Sequence, residues 1–297
     1  MRAQGGAFIW RLEDLDPPRV VAGMAEAAQR DLKWLGLDWD EGPEVGGPYT
    51  PYVQSERYAL YEQALTQLAE AKRLFPCRYS RKDVQALASA PHGHSGTPPY
   101  PPSLRPTALP ASWFIDYQAQ ARPDAALRFI VRDEVTTFRD SVQGEQYENV
   151  AESVGDVVLK RRDGLYAYQL AVVVDDVAMG ITEVVRGADL LASTARQIQL
   201  VEALGGPVPQ FTHVPLVLNA AGEKLSKRHG GLTLAALREQ GVRPEQVVGY
   251  LAFTLGLIPK PAVRHPHELI NGFALGKLAR ADWRLRADAT SVIARIS

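Results

Sequence analysis

Apolar positions in this chain fall into short runs and helical stripes, separated by turn-forming residues. The first run, Phe8 to Leu12, predicts a strand. It leads into the charged loop Glu13-Asp14-Leu15-Asp16-Pro17-Pro18-Arg19, where the paired prolines resist a helix. A helix is predicted from Met24 to Leu35, stopped by Gly36, which can take a positive φ without a Cβ penalty. Gly42 to Pro51 reads as a loop. Ser55 then reads as the cap of a helix reaching about Leu74. Tyr58, Tyr61, Leu65, Leu68 and Leu74 lie on its apolar side, and Glu62, Gln67 and Lys72 are left to solvent. Residues 88–110 contain seven prolines, which predicts a surface excursion.

Further along, Arg128 to Arg132 and Val135 to Arg139 predict two strands joined by Asp133-Glu134. Val157 to Arg161 and Tyr166 to Val174 predict a second pair about a turn at Asp163-Gly164. A helix from Leu190 to Leu204 should end at Gly205-Gly206, and Val214 to Leu218 is another strand candidate. The remainder reads as helical, over Leu234 to Glu239, Pro244 to Leu255, Pro266 to Gly272 and Phe273 to Ala279. Strands alternating with helices predict an α/β fold. The expected divisions are 1–74 and 151–235 as two parts of one core, 75–150 as an insertion, and 236–297 as a short helical portion.

Composition narrows the function classes. Lys+Arg number 33 against 34 Asp+Glu, a formal charge of −1. That balance favours an ordinary soluble enzyme over an indiscriminate nucleic-acid binder, while leaving clustered RNA contacts open. Cys77 is the single cysteine, so no intrachain disulfide can form, which fits a cytoplasmic location. The start lacks the apolar stretch of a signal peptide. Leu170 to Val174 is too short to cross a bilayer and runs into Asp175-Asp176, so it reads as a buried strand and no membrane partner is expected.

Several side chains carry candidate chemistry. Glu13, at a strand end, could accept charge-assisted hydrogen bonds from an ammonium, although a carboxylate there is more often surface or turn structure. Tyr168 offers a phenol beside an apolar wall, where core packing is its commoner role. Arg186 has a planar donor fork suited to a carboxylate; taken alone, an ion pair with Asp189 is its blander reading. Lys224 and Lys227 sit in Glu223-Lys224-Leu225-Ser226-Lys227-Arg228-His229-Gly230-Gly231, and isolated lysines of this kind usually mark a solvated loop.

Taken together, these blocks resemble the class I glutamyl-tRNA synthetases and their glutamyl-queuosine relatives over almost all of residues 7–255. The matching segments are Arg11 to Arg19, Leu35 to Pro43, Gln54-Ser55-Glu56-Arg57, Tyr166 to Asp176 with Gly180-Ile181-Thr182, Val185 to Leu191, and Lys224-Leu225-Ser226-Lys227-Arg228. The resemblance implies a Rossmann-like nucleotide-binding fold. It implies that Glu13 contacts the amino group of the amino acid, that Tyr168 lies at the glutamate site, and that Arg186 reads the side-chain acid. Lys224, Ser226 and Lys227 would form the ATP loop, with Lys227 stabilising phosphate charge during attack at the α phosphorus. ATP, with Mg2+, would be a substrate.

Only residues 232–297 follow the lysine motif, too few for the anticodon-binding region of an ordinary glutamyl-tRNA synthetase. The resemblance therefore points to the shorter relatives. Those form glutamyl-adenylate without tRNA and transfer L-glutamate to queuosine at the wobble position of tRNA(Asp). A monomer is expected. A truncated ordinary synthetase and an inactive tRNA- or protein-binding remnant remain as alternatives.

Two departures stand out. The family has a strand, a proline-containing turn and a histidine/glycine signature before the position of Gly5-Gly6, and none is present here. His92-Gly93-His94-Ser95-Gly96 lies in the wrong segment to replace it. A misassigned start or an N-terminal truncation is the expectation, and either would leave the chain as given without those catalytic groups. The second departure concerns zinc, held in relatives by Cys-x-Cys and Tyr-x3-Cys. Cys77-Arg78-Tyr79 and Tyr100 to Leu104 keep only Cys77 and the tyrosine of that set. One thiolate and one phenol make a poor zinc site even with His92 or His94 nearby, so no structural metal is expected and Cys77 should be a small packed side chain.

Overall fold

A computed structural model describes residues 1–16, 20–88, 98–120, 123–225 and 232–297. Helix α1 (Met24–Trp34) forms where predicted and is followed by Gly36 at φ 75°, a left-handed turn that glycine enters freely. Helix α2 (Tyr58–Glu70) buries Tyr61, Ala64, Leu65 and Leu68, an i, i+3, i+4, i+7 stripe. Ser55 does not cap it. The Ser55 hydroxyl and amide both donate to Asp14, at 2.6 and 2.8 Å, and a short 3-10 turn, Gln54–Glu56, precedes the helix. Nor is Glu62 left to solvent, since it accepts from Lys160 and, at 2.5 Å, from the Tyr166 hydroxyl.

Leu74 opens strand β1 (Leu74–Cys77) instead of closing α2. Helices α3 (Arg81–Ala88) and α4 (Trp113–Gln118) follow, then β2 (Ala126–Phe129), β3 (Val135–Asp140), β4 (Gly144–Asn149), the single turn α5 (Val150–Ser153) and β5 (Val157–Lys160). The expected pairing of residues 128–132 with 135–139 is not made. β2 lies between β1 and β5 in one antiparallel sheet, whereas β3 pairs with β4 in another. Side chains interrupt the ladder between them: the Val131 amide donates to Asp156 at 3.1 Å and the Arg132 amide to Gln199 at 2.8 Å.

The predicted strand at Tyr166 to Val174 is instead the helix α6 (Tyr168–Ala178). A continuous apolar run is compatible with either form when every side is covered. Here Leu170 to Val174 are all buried. A valine costs up to about 0.7 kcal/mol in a helix relative to alanine. Burying it returns roughly 1.5–3 kcal/mol, so packing decides the form.

β6 (Glu183–Gly187) comes next, followed by the 3-10 segment Ala188–Ser193, α7 (Thr194–Ala203) and β7 (Gln210–Val214). The predicted 190–204 helix is thus divided into 3-10 and α parts. The predicted 214–218 strand is also divided, because Pro215 cannot donate to a ladder; β8 (Val217–Leu218) restarts beyond it. The order β4-β3-β7-β6 makes a mixed sheet in which β6 and β7 run parallel, joined through α7. The parallel β6–α7–β7 unit is a Rossmann-like βαβ arrangement. Among the described residues, Phe8 to Leu12 does not join a ladder and makes two isolated parallel bridges, Ile9 with Glu41 and Leu12 with Val53.

Beyond the lysine motif, α8 (Leu234–Glu239) and α9 (Pro244–Thr254) match expectation, whereas Pro266–Gly272 and Leu275–Lys277 are 3-10 turns. The sequence pattern did not predict β9 (Trp283–Arg284) or α10 (Ala289–Ala294). β9 runs parallel to β8, and Leu237, Val247, Leu285 and Ile293 build a second core that also takes in Leu35. Among the described residues, no helix is long and apolar enough to cross a membrane.

Candidate active site

Three elements converge at the candidate site: the extended segment around Arg11 to Glu13, helix α6, and β6. Arg11 links the first two. Its Nη1 donates to Asp176 at 2.9 Å and its Nη2 to Glu13 at 3.3 Å, with Asp175 3.6 Å from Nε. The Glu13 side chain is 40% exposed, so Arg11 orients it without enclosing it. Beside this ion cluster lies a cavity of about 580 Å³, lined by Arg11, Glu13, Asp176, Glu41 and Glu183 to Val185 of β6. Tyr168 and Arg186 are not part of that lining.

Tyr168 stands at the N-terminal end of α6 and joins the remaining candidates. Burial first, then the nearby Glu13 carboxylate, push its phenol above the usual range, while Arg186 pulls it down by charge and hydrogen bonding. The structure therefore brings Glu13, Tyr168 and Arg186 into one electrostatic neighbourhood. Asp176 belongs to it too. Burial raises the Asp176 carboxyl above its ordinary value, Arg11 opposes that rise, and Glu13 adds to it.

Arg186 is not paired with Asp189. Its Nε donates to His213 Nε2 at 2.9 Å, and its Nη2 donates to the Thr194 hydroxyl at 2.9 Å and to the Leu190 carbonyl at 3.4 Å. One edge of the planar fork is thus held by the protein itself. Asp189 instead accepts from Lys224 Nζ at 2.8 Å. Lys224 closes a tight hairpin over Asn219 to Glu223, so the start of the predicted ATP loop is tied to the 3-10 segment that follows β6. Ser226 and Lys227 lie outside the described residues.

Five participants carry no signal in sequence patterning. Asp175 and Asp176 sit within a matched block, but nothing in their spacing separates the roles of the two. Asp140, Thr194 and His213 come from β3, α7 and β7, far apart in sequence, and only folding brings them together. No group of three or more His, Cys, Asp or Glu side chains able to hold a metal ion is found among the described residues. Cys77 is buried, with its Sγ 3.4 Å from the Tyr100 hydroxyl, and His92 and His94 lie outside the described residues.

An anionic carboxylate, a phenol that feels its charge and a guanidinium with one edge fixed suit a small amino acid bearing a further acid. Comparison with known proteins agrees with that chemistry. A family model described as tRNA synthetases class I (E and Q), catalytic domain, matches residues 1–269. The glutamyl-Q tRNA(Asp) synthetase of Symbiobacterium thermophilum is 48% identical over 293 residues, covering 98% of this chain and 90% of that protein. That of Nitratidesulfovibrio vulgaris is 45% identical over 269 residues, covering 91% and 82%. Among solved structures, a glutamate tRNA ligase from Elizabethkingia meningosepticum in complex with its amino acid superposes with a TM-score of 0.81 at 28% identity. The superposition covers 98% of this chain and 63% of that one.

Proposed function

The chain belongs to the class I glutamyl and glutaminyl tRNA synthetase family, in its glutamyl-Q tRNA(Asp) synthetase branch, and we propose that it joins L-glutamate to queuosine in tRNA(Asp). In the first step, an oxygen of the α-carboxylate attacks the α phosphorus of ATP, supplied with Mg2+, and the bond to pyrophosphate breaks. In the second, a hydroxyl of the queuosine cyclopentenediol attacks the carbonyl carbon of the glutamyl-adenylate, loses its proton and displaces AMP.

Glu13 takes the ammonium, Tyr168 lies along the bound amino acid, and Arg186 meets the side-chain carboxylate. Lys224 and Ser226 hold the phosphates, and Lys227 stabilises the charge that grows as pyrophosphate leaves. The observation that supports this reading is that the Tyr168 phenol feels both the Glu13 carboxylate and the Arg186 guanidinium. An ammonium and a second acid are the two features that separate glutamate from neutral amino acids. Arg11 and Asp176 add orientation, since Arg11 bridges Glu13 and Asp176 and so limits the swing of the Glu13 carboxylate.

The decisive experiment is ATP–pyrophosphate exchange with L-glutamate in the absence of tRNA. Exchange without tRNA, followed by transfer to tRNA(Asp) that contains queuosine and none to tRNA(Asp) that lacks it, is the expected result. Lys227→Ala should then slow exchange by about 10²- to 10³-fold, the range seen when one preorganised charge-stabilising donor is removed. Exchange that requires tRNA would point to an ordinary glutamyl-tRNA synthetase instead. No exchange, with or without tRNA, would favour a binding remnant.

A further inference from the structure

We propose that His213, anchored by Asp140, is a positioning residue that sets the orientation of Arg186 for a substrate carboxylate. This rests on the glutamate reading of Arg186. His213 is fully buried on β7, and so is the Asp140 side chain at the end of β3. The His213 Nδ1 lies 2.6 Å from Asp140 Oδ2, so the proton belongs on Nδ1 and the ring donates to the carboxylate. Asp140 also accepts from the amides of Val142, Gln143 and His213, which leaves it little freedom to turn.

With Nδ1 protonated, Nε2 is an acceptor, and it faces the Nε–H of Arg186 at 2.9 Å. Burial holds the His213 ring below its ordinary value against the pull of Asp140, which keeps Nε2 free of a proton at neutral pH. Thr194 Oγ1 accepts from Nη2 on the same edge. These contacts use Nε and Nη2 and leave Nη1 for an incoming carboxylate. A guanidinium on a long, flexible stem otherwise loses rotamer freedom when it binds, and a fixed edge means that freedom has already been lost before substrate arrives. Strands β3 and β7 and helix α7 thus converge on one arginine of β6, a degree of restraint that a solvated surface cation does not have.

The test measures equilibrium binding of L-glutamate and L-glutamine to the full chain by calorimetry. Asparagine at position 213 can keep a donor toward Asp140 while removing the acceptor toward Arg186; glutamine can restore an acceptor near the position of Nε2. His213→Asn should weaken glutamate binding about tenfold, the effect of losing one hydrogen bond of ordinary worth, and leave glutamine binding within about twofold. His213→Gln should recover most of the loss. In an Arg186→Ala background, His213→Asn should add nothing, because the route of action has already been removed.

Three results would overturn the proposal: glutamate affinity unchanged in His213→Asn, equal losses for both amino acids, or the full loss appearing again on top of Arg186→Ala. If His213→Asn does not fold, Thr194→Val takes its place, since it frees the other contact on the same edge and leaves Asp140 and His213 intact. It should weaken glutamate binding alone, and an unchanged affinity or equal loss for both ligands would count against the proposal. Failure of the underlying reading looks different: the parent chain would show no preference for glutamate, and Arg186→Ala would change neither ligand.

Discussion

Asp175 and Asp176 are neighbours on α6 and serve two different surroundings. Asp175 is fully buried and saturated: Arg57 Nε donates to it at 2.6 Å, Gln54 at 2.8 Å and the Tyr61 hydroxyl at 3.0 Å. Arg57 is committed as well, giving its Nη1 to the carbonyls of Tyr49 and Pro51. Asp176, about 100° further round the helix, accepts from Arg11 and lines the cavity beside Glu13. Two carboxylates of the same type thus separate by the number of donors each receives. Saturation marks the one that holds α2, α6 and the 49–57 loop together. Incomplete pairing beside open space marks the one that belongs to the site, where a field must remain for a ligand to feel.

The comparison can be broken most forcefully at Arg57. Arg57→Ala leaves the Asp175 charge buried without its main partner, and should cost about 3–5 kcal/mol in urea unfolding. A loss below about 1 kcal/mol, the level of an exposed pair, would mean that Asp175 is not the structural centre described.

Arg186 should behave in the opposite manner. Removing its fork in Arg186→Ala should lower glutamate use by roughly 10- to 150-fold, from the loss of about 1.5–3 kcal/mol of charged hydrogen bonding. Discrimination against glutamine should fall with it, while the urea midpoint moves much less than in Arg57→Ala. Kinetics of exchange with both amino acids, beside an unfolding curve, would check this. A large stability loss with unchanged selectivity would place Arg186 with Arg57 instead.

The smallest effect concerns Asp176. Its folded carboxyl is raised, chiefly by burial, so its contribution to stability is fully present below the ordinary carboxylate range and is lost as pH rises through the raised value. Asn at this position cannot ionise. The stability of Asp176→Asn relative to the parent should therefore climb as pH rises across that window, then level off. Urea unfolding at a series of pH values would reveal it. A difference independent of pH would show that folding does not raise the Asp176 carboxyl.

Much of the fold was legible along the chain. The stripe Tyr61, Leu65 and Leu68 announced α2, Gly36 announced the end of α1, and the alternation of elements announced an α/β architecture. The candidates Glu13, Tyr168 and Arg186 stood out through the blocks around them. Residues 166–174 were read wrongly because a run buried on all sides has no polar face to show its period. The 128–139 hairpin failed because Asp156 and Gln199, distant in sequence, take the amides that a local ladder would have used.

By itself, then, the sequence determined the helix stripes, the turns, the kinship and the types of side chain available for binding an acidic amino acid. Only the tertiary structure decided which charges are already spent. It assigned Asp175 to the interior and Asp176 to the cavity, gave Asp189 to Lys224, and turned one edge of Arg186 toward His213 and Thr194. The reason is geometric. Hydrogen bonding falls away within a few tenths of an ångström and with modest misalignment, so a donor's remaining capacity depends on where separate strands and helices come to rest.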